Sequence, residues 1–179
     1  MLRDTTFRAE GKAIDKQDLV QVYEQHSPGI FRYAYRLLGD KDLAEECVSE
    51  TFSRFLHALR SGGGPNENLR AYLYRVAHNY ITDYYRRQPT PPLSLEADMH
   101  ADDGANPVHL MAQNLESERV RRALLQLPPD QRRVIMLRVL EDWSHEEVSS
   151  ALGKTVEATR ALQHRALAAL RRLLIEDED

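Results

Sequence analysis

Apolar positions along the chain recur at three- and four-residue intervals and never settle into sustained alternation, so the pattern predicts helices and no strands. From Lys16 to Leu38 the stripe is Leu19, Val22, Tyr23, Ile30, Tyr33, Ala34, Leu37 and Leu38. A Ser-Pro-Gly near the middle of this helix predicts a kink or interruption at Pro28. Gly39 is a stop, and Asp40 an N-cap for a second helix with Leu43, Val48, Phe52, Phe55, Leu56 and Leu59 on its apolar face. "SGGGPNEN" at 61–68 reads as a flexible loop. A third helix, "LRAYLYRVAHNYITDYYRR", ends before Pro89.

The periodicity then fades through "QPTPPLSLEADMHADDGANPVH", rich in Pro, Ala and Asp, which predicts a linker. Beyond it come "NLESERVRRALLQL", stopped by Pro128 and Pro129, then "PDQRRVIMLRVLEDW", then "SHEEVSSALGKTVEATRALQHRALAALRRLL". The chain is thus predicted to be all-α. It comprises a disordered segment 1–16, a helical domain 17–88, a flexible acidic linker 89–112, a second helical domain 113–175 containing a helix-turn-helix, and an acidic tail 176–179.

Charge changes this picture only when divided by segment. The net charge is −4, an odd value for a nucleic-acid binder. Yet Glu96, Asp98, Asp102 and Asp103 lie in the linker and four more acids in "EDED" at 176–179; without these eight, 20 acids face 24 basic side chains. The acidity is local, and the remainder of the chain is left mildly basic. The single cysteine, Cys47, excludes an internal disulfide and reads as a small buried apolar residue. No apolar run approaches the ~20 residues that span a bilayer, and the N-terminus lacks a signal-peptide pattern, which together predict a cytoplasmic protein without membrane insertion.

The sharpest local motif is in the second domain. Ser144 and Glu147 have capping-box spacing, Val148, Ala151 and Leu152 supply the buried side of a short helix, Gly153 suits a tight turn, and Thr155 is placed to cap a longer helix. That order is a helix-turn-helix. On the wheel of the longer helix, Val156, Thr159, Ala166, Leu167 and Leu170 lie on one side; Glu157, Ala158, Arg160, Ala161, His164 and Arg165 project from the other. Small residues among polar ones let a backbone approach a major groove, with Arg160, His164 or Arg165 reaching bases or phosphates. A solvated basic face is the alternative reading of the same arginines. "SHEEV" lacks the second His of a zinc-protease motif.

The third helix divides by angle. Leu73, Val76, Ala77, Tyr80 and Tyr84 form a core side; Tyr72, Arg75, Asn79, Asp83 and Arg86 share an adjoining face; Tyr74, His78 and Tyr85 lie on a third, without an assigned role. An aromatic, a carboxamide and two arginines together suit unstacked bases and a phosphate backbone.

These stretches, with "AEECVSETF" at 44–52 and "LPPDQRRVIMLRVLEDWSHEEVSSALG" at 127–153, resemble bacterial RNA polymerase sigma factors. The absence of a domain between the two makes the resemblance specific to the extracytoplasmic-function class. It implies an alternative sigma factor: no enzyme, no catalytic residue, no metal and no cofactor. The implied partners are core RNA polymerase through its β′ clamp and β flap, promoter DNA, and an anti-sigma factor, the free chain being a monomer. Asp42, Glu46, Ser49 and Glu50 would meet the clamp. Tyr72, Arg75, Asn79, Asp83, Arg86 and Arg87 would read and open the minus-ten element. Gly62, Gly63, Gly64 and Asn66 would form the loop beside a flipped-out base. Lys154, Thr155, Glu157, Ala158, Arg160, Ala161, His164 and Arg165 would read the minus-thirty-five element, and the linker would thread toward the RNA exit path.

Two positions depart from what many members carry: Ser49 stands where Gln is common, and Arg160, Ala161, Leu162 where Lys-Ser-Arg is common. Gln163 falls where an apolar core residue is usual. Two other functions stay open at this level. One is a one-component helix-turn-helix regulator with residues 16–88 as a dimerisation or ligand domain. The other is a helical metalloenzyme using Asp42, Glu45, Glu46 and Glu50, although four acids on one helix more often form a solvated or partner-binding face.

Overall fold

A computed structural model describes residues 16–65, 68–88 and 107–176, with side chains placed for 17–65, 68–88 and 117–175. Among these residues there are helices and turns and no strand. The first bundle is α1 (Lys16–Leu38), α2 (Lys41–Arg60) and α3 (Leu69–Arg87); the second is α4 (Pro107–Gln126), α5 (Pro129–Ile135) with the π-helical turn Met136–Leu140 running on from it, α6 (His145–Leu152) and α7 (Val156–Glu176).

Local chemistry sets the starts of these helices. Asp40 accepts the Leu43 amide at 2.8 Å and Asn68 accepts the Ala71 amide at 2.9 Å, each satisfying a donor that has no partner inside its own helix. Ser144 forms a complete capping box: its hydroxyl accepts the Glu147 amide at 3.1 Å and the Glu147 carboxylate accepts the Ser144 amide at 2.6 Å.

The predicted break at Pro28 does not occur, and α1 runs unbroken through it. Gly29 beside it has a packing reason: a Cβ there would stand 2.5 Å from the Tyr74 hydroxyl oxygen, so only glycine lets α3 come this close.

In the first bundle Ile30, Tyr33 and Leu37 of α1 close on Cys47, Phe52 and Phe55 of α2 and on Leu73, Ala77 and Ile81 of α3. In the second, Leu124, Val134, Met136, Leu137, Val148 and Ala166 surround Trp143, which is fully buried. Burying an aromatic or aliphatic side chain of this size contributes roughly 1.5–3 kcal/mol. The two bundles touch, α3 against α6 and α1 against α4, so the buried residues form one continuous cluster.

Three differences from the sequence reading concern segments. The helix after the linker starts at Pro107, earlier than position 113, because Pro is well tolerated at a first helical position where no amide bond is lost. The stretch 129–143 is not one α-helix: the Glu141 amide bonds back to the Met136 carbonyl, Asp142 takes φ +54°, and the chain turns to send Trp143 inward. Glu176 is helical, so the expected acidic tail starts inside α7. The expected disordered segment, apart from Lys16, together with 89–106 of the linker and 177–179 of the tail, lies outside the described residues.

Candidate nucleic-acid interface

Packing divides α3 into the three faces its sequence suggests and gives each a surrounding. Leu73, Val76, Ala77 and Ile81 are buried, and Tyr80 and Tyr84 pack half-buried against the core. Burial of the Tyr80 phenol and its bond to Glu46 push its pKa up to about 12. Arg75, Asn79, Arg86 and Arg87 are exposed, and Asp83 is half-buried and paired with Arg86 at 3.1 Å. Tyr72 does not stand free: its ring tilts against Phe55 with centroids 6.2 Å apart, and the Arg75 guanidinium lies 5.8 Å from its centroid. The result is an aromatic held in place beside an exposed amide and cations, a surface that suits a base and its phosphates.

The third face is covered. Tyr74 is 4 % exposed, edge-on to Trp143 of the second bundle with centroids 5.0 Å apart. His78, also 4 % exposed, holds the Tyr33 hydroxyl at 2.7 Å through Nδ1. Burial, then the nearby Arg133 and Arg132, lower its pKa to about 2, so its ring is neutral. Tyr85 donates to the Leu37 carbonyl at 2.6 Å. Arg70, unassigned from sequence, stacks 4.3 Å above the Trp143 ring. The sequence signal available for this contact was an α3 face left without a role.

The loop after α2 turns at Gly62 with φ +72° and brings Gly64 against Leu59, where a Cβ would sit 2.7 Å from a methyl carbon. Gly62 and Gly63 are exposed; Asn66 lies outside the described residues. On α2, Asp42, Glu46 and Ser49 are exposed on one side with Glu50, which pairs with Arg54 at 2.6 Å. Glu45 pairs with Lys41 at 3.9 Å, so two of the four acids of the metalloenzyme reading, Glu45 and Glu50, pair along their own helix surface with basic neighbours. Among the described residues no three His, Cys, Asp or Glu side chains are grouped to hold a metal ion.

In the helix-turn-helix, Gly153 has φ +62° and links α6 to Thr155, whose hydroxyl accepts the Ala158 amide at 3.1 Å. Lys154 is drawn to Asp130 at 3.0 Å, and Glu157, Arg160, Ala161, His164 and Arg165 are exposed while Ala158 is half-buried. Desolvation, then Arg138 and Arg160, lower the His145 pKa. One wheel position is corrected. Leu167, placed on the inner side, is 47 % exposed, and the helix packs instead through Thr159, Leu162, Ala166, Leu170 and Leu173. The inner stripe follows the 3.6-residue period from Thr159, and Leu167 falls to its edge. Gln163, one turn before Leu167 at the same edge of that stripe, is half-buried.

This architecture agrees with what similar proteins show. Residues 22–89 match the family Sigma-70 region 2, and residues 117–170 match Sigma-70, region 4. ECF RNA polymerase sigma factor SigD of Mycobacterium bovis is 31 % identical over 175 residues, covering 91 % of this chain and 80 % of that protein. The chain belongs to the ECF RNA polymerase sigma factors.

A second sigma factor of the class, BldN of Streptomyces coelicolor, is 30 % identical over 162 residues; the match covers 88 % of this chain and 60 % of BldN's length. Among solved structures, CnrH in complex with the cytosolic domain of CnrY superposes with a TM-score of 0.65 at 26 % identity, over 91 % of each chain. The fold is shared more widely: RpoE of Bartonella quintana, in complex with the anti-sigma factor NepR, gives a TM-score of 0.60 at 23 % identity, over 88 % of this chain and 97 % of that one. Sigma factors initiate transcription, which sets the ECF reading above that of a one-component regulator. Among the described residues no helix is long and apolar enough to cross a membrane.

Proposed function

We propose that this chain is an alternative sigma factor that binds core RNA polymerase, recognises and opens promoter DNA, and so directs transcription of a specific set of genes. The observation that carries the proposal is a pair of uncovered polar faces, Arg75, Asn79 and Arg86 on α3 and Glu157 to Arg165 on α7, each on a helix whose other sides are packed. Residues 17–88 then act at the minus-ten element and residues 113–175 at the minus-thirty-five element, joined by the acidic stretch between them.

The exposed side of α2, with Asp42, Glu46, Ser49 and Glu50, docks on the β′ clamp, and the second bundle meets the β flap. Tyr72, Arg75, Asn79, Asp83, Arg86 and Arg87 work on the minus-ten strand, beside the loop of Gly62, Gly63, Gly64 and Asn66. Extruding a base costs a few kcal/mol, and stacking on an aromatic returns roughly 1–3 kcal/mol. Phosphate contacts and the polymerase supply the difference. The chain contributes no catalytic group, since the polymerase performs the chemistry. Arg160, His164 and Arg165, with Lys154, Thr155, Glu157, Ala158 and Ala161, face the minus-thirty-five major groove. An anti-sigma partner holds the protein inactive in the cytoplasm, a proposal supported by the similarity to CnrH in its complex with CnrY.

Transcription in vitro tests the reading. Core polymerase with this chain, on a library of promoters, yields transcripts from one class of templates, and neither component alone does so. Stable dimers with tight operator binding in the absence of polymerase would overturn it in favour of a one-component regulator.

A further inference from the structure

A buried cation without a counterion sits where α5 meets the first bundle. Arg132 is 8 % exposed, and its Nε has no hydrogen-bond partner in the protein. Burial lowers its pKa against the opposing pull of the Tyr33 and Tyr85 phenols, and among the described residues no carboxylate acts on it. The guanidinium still holds its proton at neutral pH, because its intrinsic pKa lies so far above. Arg133, half-buried next to it, acts with Arg132 on both Tyr33 and His78, so two positive charges face that pair.

Arg121 shows what a guanidinium buried to this degree requires. At 7 % exposed, it is paired with Glu118 and donates to the Leu38 carbonyl at 3.2 Å. The other acids along this contact are engaged as well: Glu141 meets Arg36 at 3.0 Å and accepts the Tyr74 hydroxyl at 3.1 Å, and Glu147 meets Arg70 at 3.5 Å. Arg132 has no such partner, and a buried charge lacking a counterion destabilises the packing around it.

His78 supplies a second donor. Burial raises the Tyr33 pKa well above neutrality, so the phenol keeps its proton and donates it to His78 Nδ1 at 2.7 Å. The neutral ring then carries its own proton on Nε2, which has no acceptor. Two buried N–H groups, Arg132 Nε and His78 Nε2, thus lack acceptors beside an uncompensated positive charge, and each has lost hydration without a replacement bond. A water molecule would accept from these donors and leave the charge as it was. An anion satisfies the donors and the charge together.

We propose that Arg132 and His78, with Arg133 adding charge, form a binding site for a small oxyanion of the phosphate class, free or carried as the phosphate group of a nucleotide. The planar guanidinium presents its donors in a fork that matches two oxygens of such an ion, a fit that a spherical chloride lacks. Little of Arg132 is open to solvent, which restricts the site to a ligand, or a ligand group, of that size. Bound by the folded chain and not by the unfolded one, the ion stabilises the fold by mass action. The site uses neither the exposed face of α3 nor that of α7, so it stands apart from the promoter reading and the two fail separately.

In the test, inorganic phosphate is titrated into the full chain at constant ionic strength, with chloride as the balancing anion. Equilibrium dialysis should show saturable binding of a single ion, displaced by sulfate. At about ten times the dissociation constant, the folded-to-unfolded ratio in urea should rise about elevenfold. R132M should abolish both effects while making the phosphate-free chain more stable, since it removes an unpaired buried charge; an arginine with a merely structural role would lose stability instead. H78F keeps the charge, removes one donor and should weaken binding several-fold. Should R132M fold poorly, dialysis of the unmodified chain and of H78F still decides. Adenosine monophosphate in place of phosphate separates the two sources: tighter binding assigns the site to a nucleotide's phosphate group, and equal or weaker binding to the free ion. Absence of saturable binding would overturn the proposal. Binding unchanged in both variants would do the same, as would a stabilisation that rises without saturating and is equal in R132M, the mark of general exclusion of phosphate from protein surfaces.

Discussion

Asn79 lies one turn beyond Arg75 on the exposed side of α3, so neither side chain supports the core. Truncating Asn79 or Arg75 to Ala should impair opening of the minus-ten element while leaving polymerase affinity intact; permanganate footprinting of unpaired thymines, beside a polymerase-binding titration, separates the two effects. At the other promoter element, Arg160→Ala should weaken recognition by about 1–3 kcal/mol if its guanidinium makes a bidentate base contact, read as holoenzyme affinity for templates differing only there. His78 ties a residue to stability. Its pKa is depressed from the ordinary imidazole value near 6.5 to about 2, so at neutral pH folded and unfolded chains are both unprotonated. As pH falls through 6.5 only the unfolded chain takes up the proton, and stability is lost at up to about 1.4 kcal/mol per pH unit. Denaturant melts at pH 7.5 and 5.5 should show this loss, and His78→Phe should reduce it.

At the level of elements, the helix-turn-helix depends on a short α6 whose start is fixed by reciprocal hydrogen bonds rather than by length. Helices of this length are unstable alone, and the capping box supplies what propensity cannot. Ser144→Ala should cost about 1 kcal/mol of stability, measurable by denaturant melting, with no change in the exposed residues of α7. Caps and turns at Asp40, Ser144, Gly153 and Thr155 were all legible in the sequence, because each is a local arrangement within a few residues; the Asn68 cap was read only as part of a loop. The π turn was not. Its residues "MLRVL" are ordinary helix formers, and the departure arises where Arg138 bonds the Trp143 carbonyl and Arg36 reaches from another helix to the Leu140 carbonyl. Pro28 is the opposite case, a local breaking signal overridden by a helix packed on both sides.

For the whole molecule, the net charge of −4, with a neutral first bundle and only a mildly basic second one, implies weak, strongly salt-dependent binding of duplex by the free chain. Promoter recognition should appear in gel-shift assays at physiological salt only when core polymerase is added. The sequence by itself determined the all-α character, the two bundles in order, the helix-turn-helix and the polar faces of α3 and α7, since periodicity, caps and turns depend on near neighbours. Tertiary structure decided what the third face of α3 is for, that Leu167 faces outward, and that Glu141, Trp143 and Arg70 matter together. Arg70 precedes Glu141 and Trp143 by some seventy positions, and no local pattern records that a carboxylate at the end of one helix will be closed upon by arginines from α1 and a tyrosine from α3. Burial and long-range charge pairing belong to the folded chain, and only there does a set of unremarked side chains become a contact.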